Sequence, residues 1–176
     1  AKLLWDHSLG TAMFSRSIAG ELHGINEEEA FIAGLVHDIG KTVINLNFPD
    51  KYENVIKAVY NENIGFRDAE FQHLGFAHTQ VGSLVLRKWN LSRSLEDAVL
   101  NHHTPDEAES SSMLTAVVAF ANDFCKKVGL GPIKKEAMDL AKTKAAKILE
   151  FDAERVAGLQ QQLMDDLEAN KELFEL

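Results

Sequence analysis

The stretch Gly34-Leu35-Val36-His37-Asp38-Ile39-Gly40-Lys41 decides the interpretation of the chain, because it ends an apolar helical segment with a histidine and an aspartate side by side. Adjacent imidazole and carboxylate groups can hold one metal ion from two directions, and a carboxylate can also bridge two ions. Gly40 lets the chain turn tightly and other backbone approach closely. Lys41 adds a cation that would receive a phosphate as a point charge. The stretch therefore predicts a polar site at the end of a helix.

Around this stretch, apolar residues recur at steps of three and four, which predicts an all-α fold, a helical bundle with a metal site at its core. Strand signals are nearly absent, and the three prolines fall where the helical pattern breaks. We expect a short helical turn at about 41–46 and helices at about 4–22, 26–37, 50–63, 75–89, 92–103, 112–128, 134–149 and 152–174.

The length of 176 residues suits one domain with a single core. We expect residues 1–130 to form a metal-binding core and residues 131–176 to add helices packed on the same domain. The break at 129–132 is interpreted as a helix–helix turn, because helical patterning resumes directly after it. Since the chain begins with Ala1 and enters a helical pattern at once, we expect it to be part of a longer protein.

Charge and hydropathy argue against two classes of partner. The net charge is −9 and the few lysines and arginines form no cluster, so we expect no binding to nucleic acid. No stretch approaches the ~20 apolar residues of a membrane-spanning helix, so we expect no membrane association. The single cysteine, Cys125, excludes an internal disulfide and agrees with a cytoplasmic location.

Five histidines fall on helix faces that the apolar pattern directs inward: His7, His37, His78, His102 and His103. A single buried histidine is usually a satisfied core residue, and a buried ring without a partner costs ~1–3 kcal/mol. Five such rings would need five separate partners, whereas one metal cluster that includes Asp38 would satisfy all of them. Imidazole and carboxylate ligands suit iron, manganese, zinc, nickel or cobalt. His23 and His73 fall outside the pattern and are predicted to lie on the surface.

The positions of these residues resemble the HD superfamily of metal-dependent phosphohydrolases, and more closely its HDOD branch, a signalling-associated relative of the HD-GYP domains. The resemblance spans about residues 4–125 and rests on the strings Leu4-Trp5-Asp6-His7-Ser8-Leu9, Ala33 to Gly40 and His102-His103-Thr104-Pro105, and on Glu70 and Leu74-Gly75 before His78. It implies a helical bundle with metal ligands that converge inside.

The resemblance also implies roles for individual residues. One divalent ion would be held by His7, His37 and Asp38, and a second by Asp38, which bridges, together with His78, His102 and His103. Lys41 would lie near a substrate phosphate, which makes Asp38 and Lys41 the candidate catalytic residues. Glu70 is either a carboxylate behind a ligand histidine or a solvated glutamate.

Two departures from the family bear on activity. Asn122 stands where the superfamily has its last metal-binding aspartate, and an amide oxygen is a neutral and weaker ligand. The Gly-Tyr-Pro string of the HD-GYP branch is missing after His103. Both favour a metal-binding HDOD-type signalling or regulatory domain with weak or no turnover, whose partner is a phosphorylated small molecule or a signalling protein.

Two alternatives remain open. A nearly complete ligand set and Lys41 favour an active phosphohydrolase that acts on a nucleotide, a cyclic nucleotide or a phosphomonoester. The other alternative is a protein-interaction scaffold, in which the last helix uses its apolar stripe for a partner or for a second copy of the chain. That stripe, which otherwise packs on the chain's own core, consists of Val156, Leu159, Leu163, Leu167 and Phe174.

Overall fold

Helices joined by short turns make up the part of the chain that the computed structural model describes, residues 2–174, in which there is no strand. The prediction of an all-α fold is confirmed. The helices are α1 (Lys2–Gly20), α2 (Glu27–Val36), α3 (Ile39–Asn47), α4 (Pro49–Glu62), α5 (Phe66–Leu74), α6 (His78–Lys88), α7 (Arg93–Asn101), α8 (Ser112–Val128), α9 (Lys144–Ile148) and α10 (Ala153–Ala169). Short 3₁₀ turns lie at Pro105–Glu107, Leu140–Lys142 and Lys171–Leu173.

Polar side chains fix where several of these helices begin. The side chains of Asn26, Ser92 and Asp152 accept the backbone N–H three residues on, at the N-termini of α2, α7 and α10. Such caps satisfy N–H groups that have no partner inside the helix. Helices α2 and α7 end directly before two of the histidines, His37 after α2 and His102 after α7.

The main core is built around α8, which contacts α1, α2, α7 and α9 and is buried on most of its surface. Phe14 of α1 meets Phe124 of α8 edge to face at 4.9 Å, and Phe120 of α8 meets Phe151 in the same manner at 5.8 Å. The C-terminal part adds to this core with Leu140, Ala146, Leu149, Val156, Leu159, Leu163 and Phe174. Residues 131–174 are thus packed on the helices that precede them, while the boundary at residue 130 stays a prediction.

A second, smaller apolar cluster lies under α3, α4 and α5 and contains Ile44, Tyr52, Val55, Ala58, Val59 and Ala69. Helix α3 joins this cluster to α6, because Gly40 lies against the backbone of His78. A Cβ atom on residue 40 would overlap the His78 carbonyl group, so the close contact of these two helices requires glycine there. Two of the predicted ligand positions, His37–Asp38 and His78, are brought together by this contact.

Two sequence predictions about helices are wrong. No helix covers 134–149: residues 131–139 are irregular, and only Leu140–Lys142 and Lys144–Ile148 are helical. Gly131 has a φ of 130° and precedes Pro132, so the chain cannot continue as a helix directly after α8. Helix α5 was not predicted at all, and the helix expected from residue 75 begins only at His78 because Gly75 ends α5 with a φ of 81°.

The apolar stripe of the last helix is packed inside the chain. Val156, Leu159 and Leu163 are each at most 3% exposed, as is Phe174. A dimer formed through α10 would therefore have to use other side chains, and the oligomeric state stays a prediction. No helix within residues 2–174 is long and apolar enough to cross a lipid bilayer.

Candidate metal centre

Asp38 lies at the centre of a buried group of histidines, between α2 and α3. Its Oδ2 atom is 3.4 Å from Nε2 of His37 and 3.8 Å from Nε2 of His7. Its Oδ1 atom is 3.2 Å from Nε2 of His78 and 3.7 Å from Nε2 of His102. The two oxygens of one carboxylate thus face two different pairs of imidazoles.

The cluster divides into two sets whose ligand atoms lie within 4.8 Å of one another. The first half-site consists of His7, His37 and the Oδ2 side of Asp38, with Asn122 beside it. The second half-site consists of His78, His102 and His103, next to the Oδ1 side of Asp38. The structure therefore brings together every residue that the sequence analysis proposed as a ligand, in the two groups it proposed.

The four histidine rings around Asp38 are each held by a hydrogen bond from Nδ1, the ring nitrogen farther from the carboxylate. Nδ1 of His7, His37 and His102 donates a hydrogen bond to the backbone carbonyl of Leu130, Gly34 and Val99, at 2.9, 2.7 and 2.9 Å. Nδ1 of His78 donates to Oε2 of Glu70 at 2.6 Å. A neutral imidazole that donates through Nδ1 carries a lone pair on Nε2. All four lone pairs are consequently directed at the carboxylate, which is an arrangement that a cation would stabilise.

Several buried polar atoms in the cluster around Asp38 have no hydrogen-bond partner. Nε2 of His37, Nε2 of His102 and Oδ1 of Asp38 are buried without a hydrogen-bond partner. Buried polar atoms are normally paired, because an unpaired one costs about 1–3 kcal/mol. Three unpaired electron-pair donors at one point fit a metal ion better than they fit a packed core, so the residues present suit the divalent ion that the sequence pattern implies.

Asn122 supports the first half-site from α8. Its Oδ1 is 3.0 Å from Nε2 of His7, and its Nδ2 has no hydrogen-bond partner. Because His7 already donates through Nδ1, the two facing atoms would each present a lone pair. A cation between them, or an amide turned so that Nδ2 donates to His7, would resolve the contact. Gly131 closes over the other side of His7, where a Cβ would lie 2.8 Å from Nδ1.

Burial and charge keep the ligand groups in the forms that bind metal. Burial, with the neighbouring His37, lowers the pKa of His7 from 6.5 to about 4, and burial likewise lowers the pKa of His102. Burial alone would raise the pKa of Asp38, but the neighbouring ammonium of Lys41, together with His37, holds it well below its ordinary value. Neutral imidazole and ionised carboxylate are the states that coordinate a cation.

Glu70 is a buried partner of a histidine and not a solvated glutamate. It is 0% exposed, and its Oε2 accepts both Nδ1 and the backbone N–H of His78, at 2.6 and 2.7 Å. Its other oxygen accepts the hydroxyl of Tyr52 at 3.1 Å. A carboxylate behind an imidazole fixes the ring and makes it a more basic ligand. Tyr52 was not singled out from the sequence, because it reads as one more apolar position of α4.

Lys41 points back at the cluster. Its Nζ lies 2.6 Å from Oδ2 of Asp38 and 4.7 Å from the centre of the Phe66 ring. The side chains of Lys41 and Asp38 are 9% and 1% exposed, so this is a buried ion pair. His23 and His73, which were predicted to lie on the surface, are exposed and stand apart from the cluster.

Comparisons with known proteins bear on the family and the fold of the chain. The family model of the HDOD domain matches residues 1–105. An HDOD domain protein of unknown function from Geobacter sulfurreducens superposes with a TM-score of 0.81 at 26% identity, over 98% of this chain and 60% of that one. A candidate phosphohydrolase from Shewanella amazonensis superposes with a TM-score of 0.69 at 21% identity, over 92% of this chain and 58% of that one, which shows a shared fold.

Curated relatives are longer. A ribonuclease Y from Mycoplasma mycoides is 30% identical over 118 residues, which are 67% of this chain and 21% of that protein. The chain spans about a quarter or less of the length of the first curated relatives it matches. The matched family model covers more than half of the chain and includes His7, His37, Asp38, His78, His102 and His103. By this match and by its fold, the chain belongs to the HDOD domain family.

Proposed function

We propose that this HDOD domain is a metal-binding regulatory module, which holds one or two divalent ions in the buried cluster around Asp38. The observation that carries the proposal is the common orientation of His7, His37, His78 and His102. Each ring is anchored through Nδ1 and directs Nε2 at one carboxylate. Hydrogen bonds alone do not explain this arrangement, because two of the Nε2 atoms and one carboxylate oxygen are left without partners.

The charges of the cluster favour regulation over rapid turnover. Asp38 is the one carboxylate within the two ligand groups of residues 2–174, and the other members are histidines, which bind a cation as neutral imidazoles. Asn122 adds an amide oxygen where a carboxylate would have balanced a second divalent charge. A centre with so little negative charge binds ions moderately, so its occupancy would follow the supply of metal. Such a module would pass its state to a signalling protein or respond to a phosphorylated small molecule.

The alternative function, a phosphohydrolase, is favoured by a different observation. The two half-sites share Asp38, and two divalent ions held this way would activate a water towards phosphorus. Lys41 would then bind the phosphate, and a ribonuclease Y is among the relatives. Candidate substrates are a nucleotide, a cyclic nucleotide or a phosphomonoester.

Elemental analysis of the purified chain tests the proposal. Protein should be isolated without chelator or affinity metal and then titrated with Mn²⁺ or Fe²⁺. We expect one or two ions per chain, and where the wild type binds two, a His7→Ala variant should retain about one at unchanged helicity. A chain that binds no ion under either condition would contradict the proposal.

A phosphoesterase panel separates the two functions. We expect the metal-loaded wild-type protein to be silent on nucleotides, cyclic dinucleotides, a phosphomonoester and short RNA. Turnover that disappears in Asp38→Asn would instead establish the phosphohydrolase.

A further inference from the structure

Lys41 occupies one of the two oxygens that a metal ion would use. We propose that Lys41 is a built-in counter-ion of Asp38, which a divalent ion bound by the first half-site must displace, so that the lysine sets the metal concentration at which this half-site fills. The inference rests on the proposed function and adds a regulator to it. It assigns Lys41 a role in the ion-free protein, separate from a contact with a phosphate.

The contact between Lys41 and Asp38 is the shortest that either oxygen of this carboxylate makes within the cluster. Nζ of Lys41 is 2.6 Å from Oδ2, whereas the four imidazole nitrogens lie 3.2 to 3.8 Å from the carboxylate. Lysine and aspartate are almost never buried unless they are paired. The ammonium group therefore provides the positive charge that makes burial of Asp38 tolerable in the ion-free protein.

The lysine and the first half-site compete for the same atom. Oδ2 is the oxygen that faces Nε2 of His37 and Nε2 of His7, and it is also the oxygen that accepts Lys41. A carboxylate holds a transition metal at ~2.1 Å, so an ion on Oδ2 would lie within about 5 Å of the ammonium. Like charges at that separation repel strongly in a buried site. Oδ1, which faces the second half-site, accepts no hydrogen bond from Lys41, so an ion there would compete with the lysine less directly.

The ammonium of Lys41 has a second attractive contact besides Asp38. The ring of Phe66, the first residue of α5, lies 4.7 Å from Nζ of Lys41. An aromatic face attracts an ammonium group, and the four-carbon stem of lysine allows it to move. Lys41 is thus held between two attractions, and the arrival of a divalent ion at Oδ2 would shift the balance towards Phe66.

Titration calorimetry with Mn²⁺ on a Lys41→Met variant tests the inference. Methionine has a similar length and no charge. We expect the first half-site of this variant to bind Mn²⁺ at least about tenfold more tightly than wild type, since a like charge has been removed. A Lys41→Arg variant, which keeps the charge, should not show the gain. Lys142→Met is the matched control, because Lys142 forms an i,i+3 pair with Asp139 at 2.9 Å on the surface.

The ion-free proteins provide a second, independent readout. Ion-free Lys41→Met should melt at a lower temperature than wild type, because it leaves Asp38 buried without its counter-ion. The double variant Asp38→Asn with Lys41→Met should recover part of that loss, and Lys142→Met should melt like wild type. Recovery in the double variant is the signature of the buried pair, since two unrelated defects would add.

Each outcome decides between the claims. If Lys41→Met binds Mn²⁺ more tightly than the wild type, the inference is supported. The same holds if the variant binds Mn²⁺ and the wild type binds no detectable ion. Equal or weaker binding by Lys41→Met, with metal bound by the wild type, overturns the inference and leaves the proposed function intact. Absence of binding in both proteins overturns both. Unchanged melting of ion-free Lys41→Met overturns the counter-ion role.

Discussion

The two half-sites around Asp38 are built from the same residue types but differ in what surrounds them. The first half-site, with His7 and His37, has the neutral amide of Asn122 beside it and the ammonium of Lys41 on its carboxylate oxygen. The second half-site has three imidazoles, and the carboxylate of Glu70 supports His78 from behind. Positive charge thus opposes an ion in the first half-site, whereas negative charge favours one in the second.

This difference teaches that similar ligand sets need not have similar affinity. Groups that do not touch an ion still set the charge and the orientation of those that do. We therefore expect the second half-site to fill at a lower metal concentration than the first. The following predictions test this order, beginning with the change that removes both half-sites.

Asp38→Asn should have the largest effect, because Asp38 is the ligand shared by both half-sites. The amide keeps the shape of the side chain but loses its charge, so we expect no ion to be retained after gel filtration. Elemental analysis measures the result, and circular dichroism checks the helicity. Asp123→Asn on α8 is the control, since Asp123 pairs with Lys126 outside the cluster. If Asp38→Asn retained two ions, the carboxylate of Asp38 would not be required as a metal ligand.

Single histidine variants should separate the half-sites. With one equivalent of Mn²⁺, His78→Ala should lose most of the bound ion, whereas His7→Ala should keep it, because the second half-site fills first. Metal per chain measured after desalting gives the answer, with the exposed His73→Ala as the control. The opposite pattern would reverse the order of filling.

Glu70→Gln should weaken the second half-site by about 10- to 100-fold, the range typical for loss of a group behind a metal ligand. Glutamine keeps the length of the side chain but no longer accepts from His78 as a carboxylate. Calorimetry of metal binding measures the change. Tyr52→Phe removes only the neutral hydroxyl bonded to Glu70 and should have the smaller effect. Equal losses in the two variants would mean that packing, and not charge, supports His78.

Asn122→Asp should make the two half-sites more alike. A carboxylate in place of the amide adds a charged ligand beside His7, so we expect the ion in the first half-site to bind about tenfold more tightly, equivalent to about 1.4 kcal/mol. Competition with a fluorescent chelator would detect the change. Unchanged affinity would show that the side chain of residue 122 faces His7 without reaching the ion.

The sequence predicts which of these side chains lie together, because each falls on the inward side of a helical pattern or directly at the end of one. His7 and His37 illustrate this, since the neighbours three and four residues before each are apolar or small. The backbone carbonyl that orients His7 belongs to Leu130, 123 residues away in sequence, and no local pattern specifies such a contact. The grouping of these side chains could therefore be predicted, whereas the orientation of the rings could not.

Helix α5 escaped prediction for a related reason. Its sequence, Phe-Arg-Asp-Ala-Glu-Phe-Gln-His-Leu, has no clear apolar stripe, and one of its two buried residues is Glu70. Burial of that carboxylate is stabilised by Tyr52 and His78, which are contacts made only in the folded chain. The error at 134–149 is the opposite one, because a helix was predicted where the chain is largely irregular. Helix-forming residues follow a Gly131–Pro132 turn there, and their local propensity does not override that turn.

Helix α5 contributes no ligand to either half-site, but two of its residues contact side chains of the cluster. Phe66 at its start contacts Lys41, and Glu70, one turn later, holds His78. A short helix moves as one body, so a shift of its first turn when Lys41 is displaced would also move the carboxylate behind the second half-site. Occupation of one half-site would thereby alter the affinity of the other, and by thermodynamic necessity the effect is reciprocal. We therefore expect the metal affinity of each half-site to depend on whether the other half-site is filled.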